Sequence, residues 1–255
     1  MLPSRVPRRI LGVIPARYRS SRFPGKVLAP IGAKSMVQWV FERASRAKTL
    51  SHLIIATDDQ RVYEEARRFG APARMTRASH ASGTDRVAEV AAAEDAELVV
   101  NIQGDEPLID PEAIDAAVHP LLDAPAVPMG TLKRRIRDAR EIADPNVVKV
   151  VTDHAGDAIY FSRAAIPHVR DAGAPAVHYK HIGLYVYRRE FLLRYPALTV
   201  GPLETAERLE QLRALENGYA IRVVETEYDS IGVDTPEDLA RVAALVEAAE
   251  RGEKT

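Results

Sequence analysis

Four cations stand within ten residues of the stretch ILGVIPARYRSSRFPGKV (10–27): Arg17, Arg19, Arg22 and Lys26, spaced by Ser20, Ser21 and Gly25. The apolar run before them, Ile10 to Ile14, reads as a strand buried on both faces of a parallel sheet. Pro15 then stops its ladder, having no N–H to donate. Open α/β sheets bind ligands beyond the carboxyl ends of central strands, so a basic loop there is a candidate polyanion site. The same four residues also read as a solvated surface loop. Two carboxylates change the balance. Asp105, in NIQGDEP (101–107), lies at the carboxyl end of a buried strand, and Asp234, in GVD (232–234), lies just before the last helix. Singly, the first reads as a turn residue and the second as a helix-start acid. Together, beside a basic loop, they are oxygen donors suited to Mg²⁺, which keeps part of its water shell and takes phosphate oxygens. The chemistry they point to is phosphoryl or nucleotidyl transfer.

Other chemistries lack their residues. No G-x-G-x-x-G follows the first strand, and Gly25-Lys26 is followed by Val27 rather than Ser or Thr, so neither a dinucleotide fingerprint nor a Walker A loop is present. His178 and His181 have a spacing that suits a metal, but no Cys or further His lies near, and no zinc site is expected. No G-x-S-x-G motif appears. The chain has no cysteine, which removes disulfides and thiol nucleophiles and suits a reducing cytoplasm. A formal net charge of −1 over 255 residues gives no nucleic-acid partner, so any basic site is local. Hydrophobic residues at 46% and charged residues at 28% are ordinary globular material. The basic N-terminus precedes an apolar run, but Pro15 and Arg17 cut it and no small-residue cleavage site follows, so it does not read as a signal peptide. No window has the apolar length to span a membrane.

The elements that must position these residues alternate. After the first strand, 35–48 is predicted helical with Ser35 as N-cap, 53–57 is a strand, and Asp58 or Asp59 opens a helix that Gly70 closes. A short strand over 73–76, a helix over 84–94, a strand over 98–102 and a helix from Asp110-Pro111 to about Leu122 follow. This alternation predicts an α/β fold with a doubly wound, mostly parallel sheet. The period changes after about Asn146. There 146–153 and 157–164 read as a β-hairpin about His154-Ala155-Gly156, then 181–188 is a strand, 190–195 and 204–216 are helices, and 220–226 is a strand. A last helix begins with Thr235 as N-cap, Pro236 at N1 and an acid at N3. The expectation is one domain over 1–255, with a smaller antiparallel lobe inserted over about 146–190.

In order along the chain, the motifs IPAR (14–17), SRFPGK (21–26), ASGTDR (81–86), NIQGDEP (101–107), YFSR (160–163), KHIGLY (180–185), LEQLR (209–213) and GVDTPED (232–238) resemble those of the cytidylyltransferases that activate 3-deoxy-D-manno-octulosonate (Kdo), the CMP-Kdo synthetases. Phe23 stands where leucine is usual, and the loop over 171–177 is shorter than in some members. The resemblance covers Ile10 to about Val246. It implies a nucleotidyltransferase fold and transfer of CMP from CTP to the anomeric hydroxyl of Kdo, for lipopolysaccharide synthesis in the cytoplasm. By the same resemblance Ala16, Arg17 and Lys26 hold the triphosphate, and Arg77, Ser82 and Gly83 lie on the base-reading side. Asp105 and Asp234 bind Mg²⁺, with Arg17, Lys26, Asp105 and Asp234 as the catalytic set and Asp105 also touching CTP. Arg22, Gln103, Arg163, His181, Tyr185, Glu210 and Gln211 match sugar-site positions, where Arg22 or Arg163 can pair with the sugar carboxylate. A homodimer is implied as well. A cytidylyltransferase for another acid sugar such as 8-amino-Kdo, or a non-catalytic nucleotide sensor, are the alternative readings. Both aspartates being present favours an enzyme, because mere binding needs no metal.

Overall fold

The computed structural model describes residues 9–19, 23–171 and 176–250. The chain divides into two units, Met1–Asp115 with Ser230–Thr255, and Ala116–Asp229. The second is longer than the lobe expected over 146–190.

The first unit opens with β1 (Ile10–Pro15), every residue of which is buried except the last. A small hairpin, β2 (Pro30–Ile31) and β3 (Lys34–Ser35), leads into α1 (Met36–Ala44). Then come β4 (His52–Thr57), α2 (Gln60–Arg68), β5 (Ala73–Met75), α3 (Gly83–Ala92), β6 (Leu98–Asn101) and the start of α4 (Pro111–Asp123), whose remainder belongs to the second unit. The strands run parallel, β1 pairing with β6 on one side and β4 on the other, and β4 with β5. All four residues of β6 are buried, which explains why LVVN is an unbroken apolar run with one polar end. Asp59 caps α2 by accepting from the Arg61 N–H, and Gly70 follows the helix at φ +82°. Ser35 occupies the N-cap position of α1, but its hydroxyl closes no cap.

The second unit carries β7 (Met129–Arg135), α5 (Ala139–Ala143), β8 (Lys149–Thr152), β9 (Ala158–Ser162), β10 (Tyr179–Arg188), α6 (Arg189–Arg194), α7 (Pro202–Glu207), α8 (Leu212–Glu216) and β11 (Ile221–Glu225). β8 and β9 form the expected hairpin, with Gly156 at φ +83°. β10 runs antiparallel to β7 and β8, while β11 is parallel to β7. The helix expected over 204–216 is broken. Arg208 takes the left-handed conformation (φ 54°, ψ 43°), so Glu210 lies in the connection between α7 and α8, and Gln211 is the N-cap of α8.

The chain then returns to the first unit as α9 (Pro236–Glu250). Its capping box is the predicted one. Thr235 Oγ1 accepts from the Asp238 N–H at 3.2 Å, and Asp238 Oδ2 accepts from the Thr235 N–H at 3.1 Å. Val233, Val242 and Val246 pack with Ile31, Met36 and Trp39 into one core cluster. The Trp39 indole donates to Ile31 O at 2.9 Å, which satisfies its one polar atom inside that cluster.

Candidate active site

β1 ends at Pro15, and Ala16 extends the ladder one residue further by donating its N–H to Ala56 O at 2.8 Å. That amide is therefore committed to the sheet. Beyond it the basic loop returns sharply at Gly25, whose N–H meets Tyr18 O at 2.7 Å and whose φ is +75°. A Cβ at Gly25 would stand 3.0 Å from the Tyr18 ring, whose face is covered by the Arg61 guanidinium at 3.4 Å. This turn launches the 3-10 turn Lys26–Leu28 and aims Lys26 inward.

Lys26 is the centre of the site. Its Nζ donates to Asp105 Oδ2 at 2.6 Å, to Val233 O at 2.9 Å and to Asp234 Oδ1 at 3.1 Å. Asp105 follows β6, and its backbone carbonyl accepts from the Val233 N–H at 2.9 Å, which ties the two carboxylate-bearing segments together. Gly104 allows this approach, since a Cβ there would lie 2.8 Å from Pro15 O. Burial depresses the Lys26 ammonium, but attraction and hydrogen bonds from Asp105, and then Asp234, outweigh it and hold its pKa above the ordinary 10.5.

Around this triad lies a cleft of about 370 Å³ lined by Pro15, Arg17, Arg19, Lys26, Gln103, Gly104, Asp105 and Asp234, with Gly83 at its edge. Arg17 donates to His80 O at 3.3 Å. Gly83 is the first residue of α3, whose N-terminus carries partial positive charge. Ser82 caps that helix, accepting from the Asp85 N–H at 3.1 Å while Asp85 accepts from the Ser82 N–H. Arg77 does not line the cleft. Its side chain is 72% exposed and pairs with Glu89. Arg22 lies outside the described residues. Gln103 lines the cleft beside Asp105.

The other five sugar-site candidates lie in the second unit. His181 and Tyr185 sit on β10, their ring centroids 5.4 Å apart, and Phe161 meets His181 edge-on at 5.0 Å. Burial lowers the His181 pKa to about 3, leaving the imidazole neutral, and burial with the Glu210 carboxylate raises that of Tyr185. Arg163 donates through Nε to Glu207 O at 2.7 Å and through Nη1 to Pro145 O at 2.9 Å. Glu210 O accepts from the Tyr195 hydroxyl at 2.7 Å, and Gln211 is buried. Thr131, on β7, escaped the sequence reading because β7 itself did; its hydroxyl lies 2.9 Å from His181 Nε2.

Asp105 and Asp234 fit magnesium by donor chemistry: both offer hard carboxylate oxygens, and both already reach one cation, the Lys26 ammonium. Among the described residues no group of three His, Cys, Asp or Glu forms a closed metal cage. An ion here would take further ligands from water or phosphate.

A lysine and two carboxylates gathered in one cleft beyond the carboxyl ends of parallel strands are the arrangement expected of a nucleotidyltransferase. The cytidylyltransferase family model matches residues 11–225. The chain is 71% identical over 243 residues to a 3-deoxy-manno-octulosonate cytidylyltransferase of Solibacter usitatus, covering 95% of this chain and 96% of that protein. It is 59% identical to one of Syntrophotalea carbinolica, covering 92% and 97%. A solved CMP:2-keto-3-deoxy-manno-octonic acid synthetase complexed with CTP matches with a TM-score of 0.91 at 44% identity, covering 94% of this chain and 99% of the other. The chain belongs to the 3-deoxy-manno-octulosonate cytidylyltransferase family.

Proposed function

We propose that this protein transfers CMP from CTP to the anomeric hydroxyl of Kdo, giving CMP-Kdo and pyrophosphate. The observation that carries the reading is the Lys26–Asp105–Asp234 triad in a cleft walled by Arg17 and Arg19. The anomeric oxygen attacks the α-phosphorus, its proton passes to solvent, and the bond from the α-phosphorus to the oxygen bridging to the β-phosphate breaks, releasing pyrophosphate. Arg17 and Lys26 neutralise the pyrophosphate as its charge grows. Asp105 and Asp234 would hold Mg²⁺, which when bound supplies charge neutralisation on the phosphate oxygens. Arg77, Ser82 and Gly83 remain on the base side of this reading, Ser82 acting through the helix start it caps. Gln103, Arg163, His181, Tyr185, Glu210 and Gln211 read the sugar.

In the same reading the enzyme works in the cytoplasm, as a homodimer, for lipopolysaccharide synthesis. No helix among the described residues is long and apolar enough to cross a membrane. Among the described residues β9 pairs with β8 alone and presents Ile159 at 61% exposure, a surface suited to a second copy. Incubation with CTP, Mg²⁺ and Kdo should release pyrophosphate only when all three are present. Release independent of Kdo, or none at all, would overturn the proposal.

A further inference from the structure

The Thr131 hydroxyl sits where three groups converge. His181 Nε2 is 2.9 Å away, Ile182 O 3.0 Å and Leu184 O 2.9 Å. The two carbonyls are there because the β10–β7 ladder is interrupted between Ile182 and Val186. Thr131 is wholly buried, out of reach of bulk water. A hydroxyl has one proton to give and accepts through its lone pairs, whereas a carbonyl only accepts. Were the hydroxyl proton spent on His181, both carbonyl oxygens would face a bare hydroxyl oxygen at about 3 Å, a repulsive and unsatisfied arrangement. The single proton therefore goes to one carbonyl or is shared between the two, and His181 Nε2 must be the donor to Thr131.

A neutral imidazole carries one N–H. With it on Nε2, Nδ1 is a bare acceptor. Nδ1 makes no hydrogen bond to the described residues, and it is not among the sealed, unpartnered polar atoms of the interior. We infer that Thr131 is a positioning residue that fixes His181 as the Nε2–H tautomer, so that Nδ1 accepts a hydrogen bond from a hydroxyl of the acid sugar. This rests on the proposed reading of His181 as a sugar-site residue. It adds a direction: His181 can take a proton-bearing hydroxyl and cannot pair with the sugar's carboxylate. The carboxylate is left to an arginine.

Two measurements separate this inference from the reading it rests on. The first is the ring-nitrogen NMR spectrum of the full-length protein labelled in its seven histidines, with His181 assigned by the spectrum that His181→Gln loses. Nε2 bearing the proton supports the inference, and Nδ1 bearing it overturns the inference whatever the enzyme does. The second is steady-state kinetics of Thr131→Ser and Thr131→Val with CTP and Kdo. Thr131→Ser keeps the hydroxyl and should keep both the tautomer and the sugar KM. Thr131→Val removes it, and should raise the sugar KM about tenfold while leaving the CTP KM in place. An unchanged sugar KM in Thr131→Val, with the tautomer lost, overturns the sugar-reading half of the inference. A rise in sugar KM with Thr131→Ser matching that of Thr131→Val overturns the role of the hydroxyl. Should Thr131→Val not fold, the wild-type tautomer and the effect of His181→Gln on sugar KM still decide both halves. Failure to use Kdo at all, with the expected tautomer present, would count against the proposed function and not against the role of Thr131 toward His181.

Discussion

Lys26 changes what its two partners should do on mutation. Two neighbouring carboxylates with no cation between them would repel, and substitution of either with Asn would relieve that repulsion. In the structure a lysine separates them. Asp105→Asn is accordingly expected to lower unfolding stability by about 1–2 kcal/mol, below the full worth of a charged hydrogen bond because the carboxylate is partly solvated. Turnover should drop by about a hundredfold or more. Denaturant melts beside pyrophosphate release check both. The pH dependence has a definite sign. Because the folded-state pKa of Lys26 lies above 10.5, its stabilisation is fully present below that pH and is lost as pH rises through the folded value. As pH rises past 10.5 the wild type should lose stability faster than Lys26→Met. His181 works at the acid end. Its pKa falls from 6.5 unfolded to about 3 folded, so the unfolded chain binds the proton first and stability declines as pH drops from 6.5 towards 3. His181→Gln should flatten that decline in thermal melts between pH 7 and 4. Residue type and order made Lys26, Asp105 and Asp234 legible in the sequence. They could not show the lysine between the carboxylates, nor that the Ala16 amide is spent on the sheet.

At the scale of elements, parallel strands and capped helices were readable because each carries its own local signal: unbroken apolar runs for β1 and β6, Thr-Pro-x-Asp for α9. β7 was not. Gly130 interrupts its apolar pattern, and Lys133, Arg134 and Arg135 give its end the look of a surface loop, although Met129, Gly130, Thr131 and Leu132 are buried. The break between α7 and α8 was equally hidden, since no glycine or proline marks it. Tertiary contacts override helix propensity there. Arg163 takes the Glu207 carbonyl, Tyr195 takes that of Glu210, and Arg213 pairs with Glu204 at 2.6 Å across the two helices. A β-branched residue tolerates positive φ poorly, so Arg208→Val should cost about 1–2 kcal/mol in equilibrium unfolding, whereas Arg208→Gly should leave stability nearly unchanged. Gly104→Ala should be more severe for function. Its Cβ would meet a backbone oxygen that has no side-chain freedom to move, so a loss of about 1–3 kcal/mol is expected together with displacement of Asp105 and a fall in kcat.

For the whole molecule, the sequence announced an α/β chain with an antiparallel insertion expected over about 146–190, whereas the second compact unit spans Ala116–Asp229. Strand periodicity marks hairpins and not the division into compact units, and β7 and β11 joined the second unit without such a mark. The residues proposed for the nucleotide side fall in the first unit, and most of the described sugar-side candidates in the second. Substrate discrimination should divide the same way. CTP should be strongly preferred over ATP and GTP, and variants of the second unit should leave that preference intact. Equal pyrophosphate release from ATP and CTP at subsaturating concentration would refute it.

The chain contains one tryptophan, and its surroundings give it a use as an optical reporter. Trp39 sits against Val233, the residue before Asp234, and against Val242 and Val246 of the terminal helix. Its emission thus reads whether the last stretch of chain has docked beside a segment nearly two hundred residues earlier in sequence. Far-ultraviolet dichroism, by contrast, averages over every helix and strand. If the two units melt together, the fluorescence and dichroism curves will superimpose; a fluorescence transition displaced from the dichroism midpoint would show that the nucleotide-bearing unit dissolves at its own denaturant concentration.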